Sequence, residues 1–409
     1  MDQDPVLDCK AHAPYVPRDG LVGGRPDAGG FRMRLRHAVG IVTGAVMLSL
    51  VAAGPAGATT GAGRLQRPAV TDGGRVVVDS TTVPGLAYPE GLTAFRGRLY
   101  IGTYQVAQPN SSRIFVVEPG SGHVVNVLGA APGQELIAAA PLLGLAVDPI
   151  SGDLFVGANG LGEVLRVHNP TQPDATVEVY AHLPAGAGPE DLTTDSSGVL
   201  WLTDSNLGNV YRVPSKEHVE LVIGPAGSTA QVQDTAGLLA SPVAGLSPNG
   251  LAVSPDGSRL MLANTATDSI LSVALSGGHA VGALSVFAAN PTDAFDVFPY
   301  GFESLTGPGT TYGASANRPL NGPDGIRFDD NGHLWAADIL GANLTELDGK
   351  TGAVIQTVGT SAASGTGSLS GPAGLAFSGG RVYTTNLSIF SDGNNPNPAV
   401  PFSVVGYGP

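Results

Sequence analysis

Apolar and polar residues alternate along this chain in a phrase that recurs six times. Its clearest copy is Gly322–Asp338, GPDGIRFDDNGHLWAAD. A short apolar run, Gly325–Phe328, is followed by a polar turn, Asp329–His333, and a second apolar run, Leu334–Ala337. Two such runs around Asn331-Gly332 predict a β-hairpin, because Asn-Gly supplies the left-handed backbone of a tight turn. The other copies are Tyr88–Thr103, Leu142–Asn159, Gly188–Asp204, Ser247–Asn264 and Gly371–Asn386. Aligned on Gly91, Gly144, Asp191, Gly250, Gly325 and Gly374, they lie 53, 47, 59, 75 and 49 residues apart. Repeats of roughly 40–50 residues carrying about four strands mark the blades of a β-propeller. The pattern therefore predicts an all-β fold, a six-bladed propeller of four-stranded blades. A β-sandwich or barrel is the alternative, and six hairpins at long regular steps suit it poorly.

Each phrase supplies an inner strand A and a strand B. Third strands are predicted at Arg113–Glu118, Glu163–His168, Asn209–Val213, Ser269–Ala274 and Asn343–Asp348, and outermost strands at His123–Leu128, Thr176–His182, Glu217–Ile223, Val281–Phe287 and Val354–Val358. Arg75–Thr82 precedes the first hairpin and Ala399–Tyr407 ends the chain. Both are predicted to join the last blade, so that the N- and C-terminal strands close the ring and remove its open edges. Three connections into a following strand A are long. Gly129–Pro141 holds an apolar run, Leu136–Ala140. Gly224–Leu246 holds a predicted short helix around Ala230–Leu239. Ala288–Asn321 carries Phe295, Phe298, Tyr300, Phe302 and Tyr312. Long loops on one face of a rigid scaffold are expected to build a binding site, or else to pack over the rim.

Composition agrees with this reading: 409 residues include 59 Gly and 32 Pro, with 42% apolar and only 13% charged residues, as many short strands and turns require. The net charge of −14, with no basic patch, argues against nucleic acid or an anionic membrane as partner. The N-terminal segment changes the domain picture. Arg32-Met33-Arg34-Leu35-Arg36 is a basic n-region, Ala38–Gly54 an apolar run, and Ala56-Gly57-Ala58 a small-residue cleavage site. Residues 1–58 are expected to be leader and signal peptide, with Met33 the initiator, 59–74 a linker and 75–409 the propeller. Export to the cell envelope or medium follows, with no membrane attachment after cleavage; a retained anchor is the alternative. The single cysteine, Cys9, lies in the removed part, which leaves no thiol or disulfide chemistry. A monomer is expected.

Candidate chemistry lies just before each anchor position. There the chain has Glu90, Leu143, Glu190, Asn249, Asp324 and Ala373. Antiparallel pairing puts the start of A and the end of B at one rim, so these residues ring one mouth of the central channel. Three carboxylates and an amide would repel strongly without a cation. All-oxygen donors suit calcium first, then magnesium or manganese; with neither Cys nor His at these positions, zinc is not expected. The bland reading is that Pro-Asp-Gly and Pro-Asn-Gly are common turn tripeptides, as in Ser254-Pro255-Asp256-Gly257 on the opposite face; the shared phase of the four residues sets them apart. Asn159, Asp204, Asn264, Asp338 and Asn386, at the ends of the B strands, reach the same face, as substrate contacts or as caps on loop backbone. Trp201 and Trp335 are expected in the core between blades.

These motifs resemble the family of gluconolactonase, senescence marker protein (regucalcin) and luciferin-regenerating enzyme, over about Arg75–Tyr407. The resemblance rests on Ser247-Pro248-Asn249-Gly250-Leu251 and on Pro323-Asp324-Gly325 followed by Gly332-His333-Leu334-Trp335-Ala336-Ala337. It implies that Glu90, Asn249 and Asp324 bind one divalent metal. The family's lactonases use an Asn-Asp-Gly motif in blade 3, where this chain has Glu190-Asp191-Leu192. Their nearby substrate-binding arginine has no visible counterpart, which argues against a sugar lactone.

The implied activity is metal-dependent hydrolysis of a lactone or ester, with Glu90, Glu190, Asn249 and Asp324 on the metal and Asp324 or Glu190 as general base. No Gly-x-Ser-x-Gly elbow is present. The histidines lie mostly in outer strands or turns; His182, before blade 3, is either a candidate to approach the site or, more in keeping with its place, a surface or packing residue. The competing reading is a non-catalytic, NHL-like propeller that binds a protein or cell-envelope ligand and uses the metal structurally.

Overall fold

Each of the six hairpins grows outward by two further strands, and each sheet so formed is one blade. The computed structural model describes residues 73–104, 110–241, 246–289, 320–359, 369–387 and 401–408. Blade 1 consists of Pro89–Phe95, Arg98–Thr103, Ile114–Val117 and Val124–Leu128 in spatial order. Blade 2 is Leu142–Val147, Leu154–Ala158, Glu163–His168 and Thr176–His182. Blade 3 is Pro189–Thr194, Leu200–Asp204, Asn209–Ser215 and His218–Pro225. Blade 4 is Leu251–Val253, Arg259–Asn264, Ser269–Ser276 and His279–Ala289. Blade 5 is Pro323–Phe328, Leu334–Asp338, Asn343–Leu347 and Val354–Val358. Blade 6 is Pro372–Ser378, Arg381–Asn386 and Ser403–Tyr407, with Arg75–Asp79 outermost.

The last blade therefore takes strands from both ends of the chain. Arg75 lies opposite Gly406 and Asp79 opposite Ser403 in an antiparallel pair. The final strand is the blade's third and the initial strand its fourth, so neither terminus leaves an inner edge unpaired.

Period-two alternation explains the core. Successive side chains of a strand face opposite sides of its blade. In the second strand of blade 1, Leu99 and Ile101 join a cluster with Val404 and Tyr383 of blade 6, whereas Tyr100 joins Leu145 and Val156 of blade 2. Every blade-to-blade junction has its own apolar cluster of this kind. Trp201 is fully buried between blades 3 and 4, and Trp335 nearly so between blades 5 and 6. The connection Gly129–Pro141 contains one helical turn, Glu135–Ala138, whose Ile137 is buried between blades 1 and 2, so its apolar run packs.

One expectation fails. Ala230–Leu239 forms no helix: Val232–Asp234 is a short strand, parallel to His218–Pro225, that extends blade 3 to five strands. Val232 and Leu239 are buried in the cluster between blades 3 and 4. A short apolar run reads alike as helix or strand, and here the free outer edge of blade 3 decides. The aromatic loop from Phe295 to Tyr312 and the leader, residues 1–58, lie outside the described residues. Among the described residues, no helix is long and apolar enough to cross a membrane.

Candidate functional site

The backbone at the mouth is built to turn one side chain toward the axis. In blade 1 Pro89 lies opposite Thr103, yet Leu92 lies opposite Ile101, so one extra residue is inserted in strand A. The same slip occurs in blades 2, 3, 5 and 6, between the first and fourth residues of the strand. A bulge of this kind bends the strand and re-aims the side chain it carries. The re-aimed residues include Glu90, Leu143, Glu190, Asp324 and Ala373. Blade 4 reaches the same arrangement through its backbone: Asn249 N–H donates to Ala263 O at 2.9 Å and Ala263 N–H to Gly250 O at 2.8 Å. The following glycine is required by close approach. A Cβ at Gly250 would overlap the Asp324 carbonyl, and one at Gly374 the Glu90 carbonyl.

Threonine hydroxyls lock neighbouring blades at this level. Thr203 Oγ1 donates to Asn249 O at 2.6 Å, Thr265 Oγ1 to Pro323 O at 2.7 Å and Thr385 Oγ1 to Glu90 O at 2.9 Å. Each mouth residue concerned, or the proline before it, is thus held by the preceding blade.

Glu90, Glu190 and Asp324 lie near enough to act on one another's charge, and Asn249 hydrogen-bonds Asp324. Glu190, Asn249 and Asp324 are only 7%, 6% and 5% exposed, and Glu90 is half-buried. The carboxyl groups sense one another. Burial, then Glu190, Asp324 and Asp191, push Glu90 well above the usual carboxylate range. Burial pushes Glu190 up to about 8 against a hydrogen bond from Ser205, with Asp324, Asp191 and Asp204 adding to the rise. Asp324 is pushed up to about 7 by burial and by Asp191, while a hydrogen bond from Asn249 opposes the shift. Burial and nearby like charges both favour the protonated form of a carboxyl.

Several contributors were not visible as such in the sequence. Ser205 Oγ donates to Glu190 Oε2 at 2.6 Å, and Asn249 Nδ2 donates to Thr265 Oγ1 at 3.1 Å. Tyr104 follows strand B of blade 1, and its amide donates to Tyr88 O at 2.7 Å. Burial, Glu90 and Glu190 push its hydroxyl up to about 12. Tyr88, Tyr104 and Leu340 pack around Ile339, Ala373 and Leu387, which gives blades 5, 6 and 1 an apolar side to the mouth. On the other side a cavity of about 330 Å³ opens beside Ser205, lined also by Leu207, Asp234, Leu239 and Ser247.

The row at the ends of the B strands divides. Asn159 Nδ2 reaches Glu190 Oε2 at 3.4 Å. The others serve local backbone or neighbouring side chains. Asp204 accepts from Gly188, Asn206 and Leu207 amides, Asn264 from Ala266, and Asn386 from Ser370, while Asp338 accepts from Asn343 and Thr345 side chains. His182 does not approach the mouth. It is exposed on the outermost strand of blade 2, 3.1 Å from Glu217 and 3.6 Å from Glu163.

A second cluster lies at the opposite rim, in the hairpin of blade 5. Ligand atoms of Asp329, His333 and Glu346 lie within 4.8 Å of one another, close enough to share an ion. They already bond one another and their turn: Glu346 Oε1 is 2.6 Å from His333 Nδ1, and Asp329 Oδ1 accepts from the amides of Asn331 and His333 at 2.8 and 2.9 Å.

Comparison with known proteins agrees with this architecture. Residues 133–373 match the family model described as SMP-30/Gluconolactonase/LRE-like region. No curated protein matches the sequence. Among solved structures, regucalcin, a calcium-binding protein from Agrobacterium tumefaciens, is 18% identical with a TM-score of 0.54, over 82% of this chain and 93% of that one. A luciferin-regenerating enzyme is 13% identical with a TM-score of 0.53, over 78% and 91%. A gluconolactonase from Xanthomonas campestris is 20% identical with a TM-score of 0.50, over 79% and 86%. At these identities the likeness is one of fold.

Proposed function

The chain belongs to the SMP-30/gluconolactonase/LRE-like family, and on that premise we propose that it is an exported, divalent-metal-dependent hydrolase of a lactone or ester. The observation that carries the reading is that Glu90, Glu190 and Asp324, from three blades, are buried or half-buried and raise one another's pKa, with Asn249 of a fourth blade hydrogen-bonded to Asp324. The donor set fits a hard dication: every group offers oxygen, and the uncompensated negative charge is what such an ion relieves. Calcium is the first candidate, magnesium or manganese the next. When bound, the cation polarises a substrate carbonyl and makes water more acidic.

The protein's own groups supply the rest. Asp324, or Glu190, takes a proton from the attacking water, whose oxygen bonds to the acyl carbon. The same carboxyl returns the proton to the departing alkoxide as the ester C–O bond breaks, and a lactone leaves as its hydroxy acid. Burial and Asp191 push Asp324 up to about 7 in the cation-free mouth, and beside a cation it would be ionised and able to accept the proton. Ser205 and Asn159 hold the Glu190 carboxylate in place. Tyr104 keeps its proton at neutral pH and remains a donor. The apolar side formed by Tyr88, Tyr104 and Leu340 supports a substrate with an apolar body. Export rests on the basic and apolar segments that precede residue 59, and a monomer is proposed with it.

The test is a panel of lactones and aryl esters assayed with calcium and again with chelator, beside calorimetric calcium titration. The expected result is one bound cation and turnover that chelator abolishes. Equal rates with and without chelator would overturn the metal-dependent mechanism. Cation binding with no turnover across the panel would leave a binding propeller with a structural metal.

A further inference from the structure

At the residue after each mouth position, five blades carry glycine: Gly91, Gly144, Gly250, Gly325 and Gly374. Blade 3 carries Asp191. Its side chain takes the space that the glycines leave to their neighbours and crosses toward blade 5. There it meets Arg327 in a fork, Nη1 to Oδ2 at 2.7 Å and Nη2 to Oδ1 at 2.9 Å. The pair joins two blades that are not neighbours, and the two side chains are only 16% and 14% exposed.

The guanidinium has three further acceptors. It donates to Leu192 O at 3.2 Å, Leu251 O at 2.9 Å and Ile326 O at 2.8 Å. Each carbonyl lies two residues after a mouth residue: Leu192 after Glu190, Leu251 after Asn249, Ile326 after Asp324. Asp191 adds to the same level, accepting from Leu192 N at 2.8 Å and from Leu251 N at 3.1 Å. One planar group thus fixes the spacing of the three inner strands whose preceding residues form most of the mouth.

We propose that Arg327 and Asp191 are positioning residues that hold Glu190, Asn249 and Asp324 at the separation a divalent cation needs, from one level below it. This rests on the function proposed above. Neither residue touches the substrate. A buried pair used only for stability is weakly favoured, since apolar residues of similar volume serve as well. A planar fork that bonds a carboxylate and three carbonyls together is a task for arginine, and lysine cannot reproduce it.

The test compares Arg327→Lys with the wild-type chain by calcium calorimetry on chelator-treated protein, with thermal unfolding of the same samples. Arg166→Lys serves as control. Arg166 bonds Asp153 at 2.8 Å at the opposite rim of blade 2 and is remote from the mouth. Arg327→Lys keeps the charge and loses the fork, so calcium affinity should fall by roughly 10–100-fold, as is typical when a partner of metal ligands is lost. Arg166→Lys should leave affinity unchanged even where it lowers the unfolding temperature. If Arg327→Lys does not fold, Asp191→Asn removes one arm of the clasp and should weaken calcium binding in the same direction. Unchanged affinity in the folded clasp variants, or an equal loss in Arg166→Lys, overturns the positioning role. A wild-type chain that binds no cation overturns the functional reading and this proposal with it, and that failure is distinguishable because it appears before any variant is made.

Discussion

The two rims of this propeller carry the same residue types and treat them in opposite ways. At the hairpin rim, aspartates end in backbone amides and hydroxyls. Asp195 accepts from Ser197 N, Val199 N and Trp201 Nε1, and Asp148 from Ile150 N and Ser151 Oγ. Asp256 is drawn down to about 2 by the hydroxyls of Ser254 and Ser258. Burial raises Asp153, but bonds from His168 and Arg166 outweigh it and leave the carboxyl lowered. At the mouth the carboxyls of Glu90, Glu190 and Asp324 all rise. A turn aspartate is satisfied by its own turn, where local amides are plentiful. A mouth carboxylate faces an axis lined by the side chains of other blades. The difference separates acids satisfied by their own turn from the set proposed above to take a cation.

The sharpest way to break that contrast is to remove a mouth carboxylate. Asp324→Ala should abolish calcium binding and lower turnover by roughly 10³-fold, the several kcal/mol that a Lewis-acid centre contributes. Calorimetry and the substrate panel read both losses. The same change should leave the cation-free protein folded and no less stable, since it deletes one of three mutually repelling groups. Persistent calcium binding in this variant would remove Asp324 from the site.

Acidity provides the next test. The folded-state values of Asp324 and Glu190, about 7 and about 8, lie above their ordinary values of 3.8 and 4.5. At these two groups the native state binds more protons than the unfolded chain between these limits, so their contribution to cation-free stability is full below pH 4 and is lost as pH rises toward 8. The cation competes with those protons, so its affinity should rise over the same window. Thermal unfolding at a series of pH values, with calcium and with chelator, should show two curves that diverge upward in pH. Parallel curves would mean that the mouth acids do not hold the ion.

The sequence carried the fold more fully than the site. Each hairpin is encoded within its own phrase, by alternation and a turn, so blade count, ring closure and most strand limits could be read locally. Glu163–His168, Thr176–His182 and Val354–Val358 fall where the pattern places them. The mouth residues were legible because the repeat phase converts distant positions into one ring. Asp191 and Arg327 were not, because their pairing spans 136 residues and depends on which side chain fills a place that glycine leaves elsewhere. Ser205 and Tyr104 lie just beyond the B strands, where an ordinary loop residue and a site residue look alike. The helix expected around Ala230–Leu239 failed for a different reason: an apolar run of that length has no preference until a sheet edge offers it a partner.

Smaller changes sharpen the contrast without destroying it. Ser205→Ala removes the 2.6 Å hydrogen bond to Glu190, a charge-assisted bond worth about 1.5–3 kcal/mol to the carboxylate form. Glu190 should then hold its proton to still higher pH, and the acid limb of calcium binding should move upward with little change in maximal affinity. An unmoved limb would place the Glu190 carboxylate outside the binding equilibrium.

The smallest functional effect is expected at the hairpin rim of blade 5, and it decides between the two places where an ion can sit. Asp329, His333 and Glu346 have the right atoms close together, but each already has a partner within the hairpin or the adjoining strands. Binding there would have to break these bonds, whereas binding at the mouth relieves a repulsion. Asp329→Ala should cost about 1 kcal/mol of stability through its lost turn hydrogen bonds. It should leave one calcium bound per chain with unchanged affinity, and turnover should follow the mouth alone. A loss of the bound ion in this variant, with the mouth intact, would transfer the metal to the opposite rim and leave the carboxyls of Glu90, Glu190 and Asp324 as a proton-holding ring without a cation.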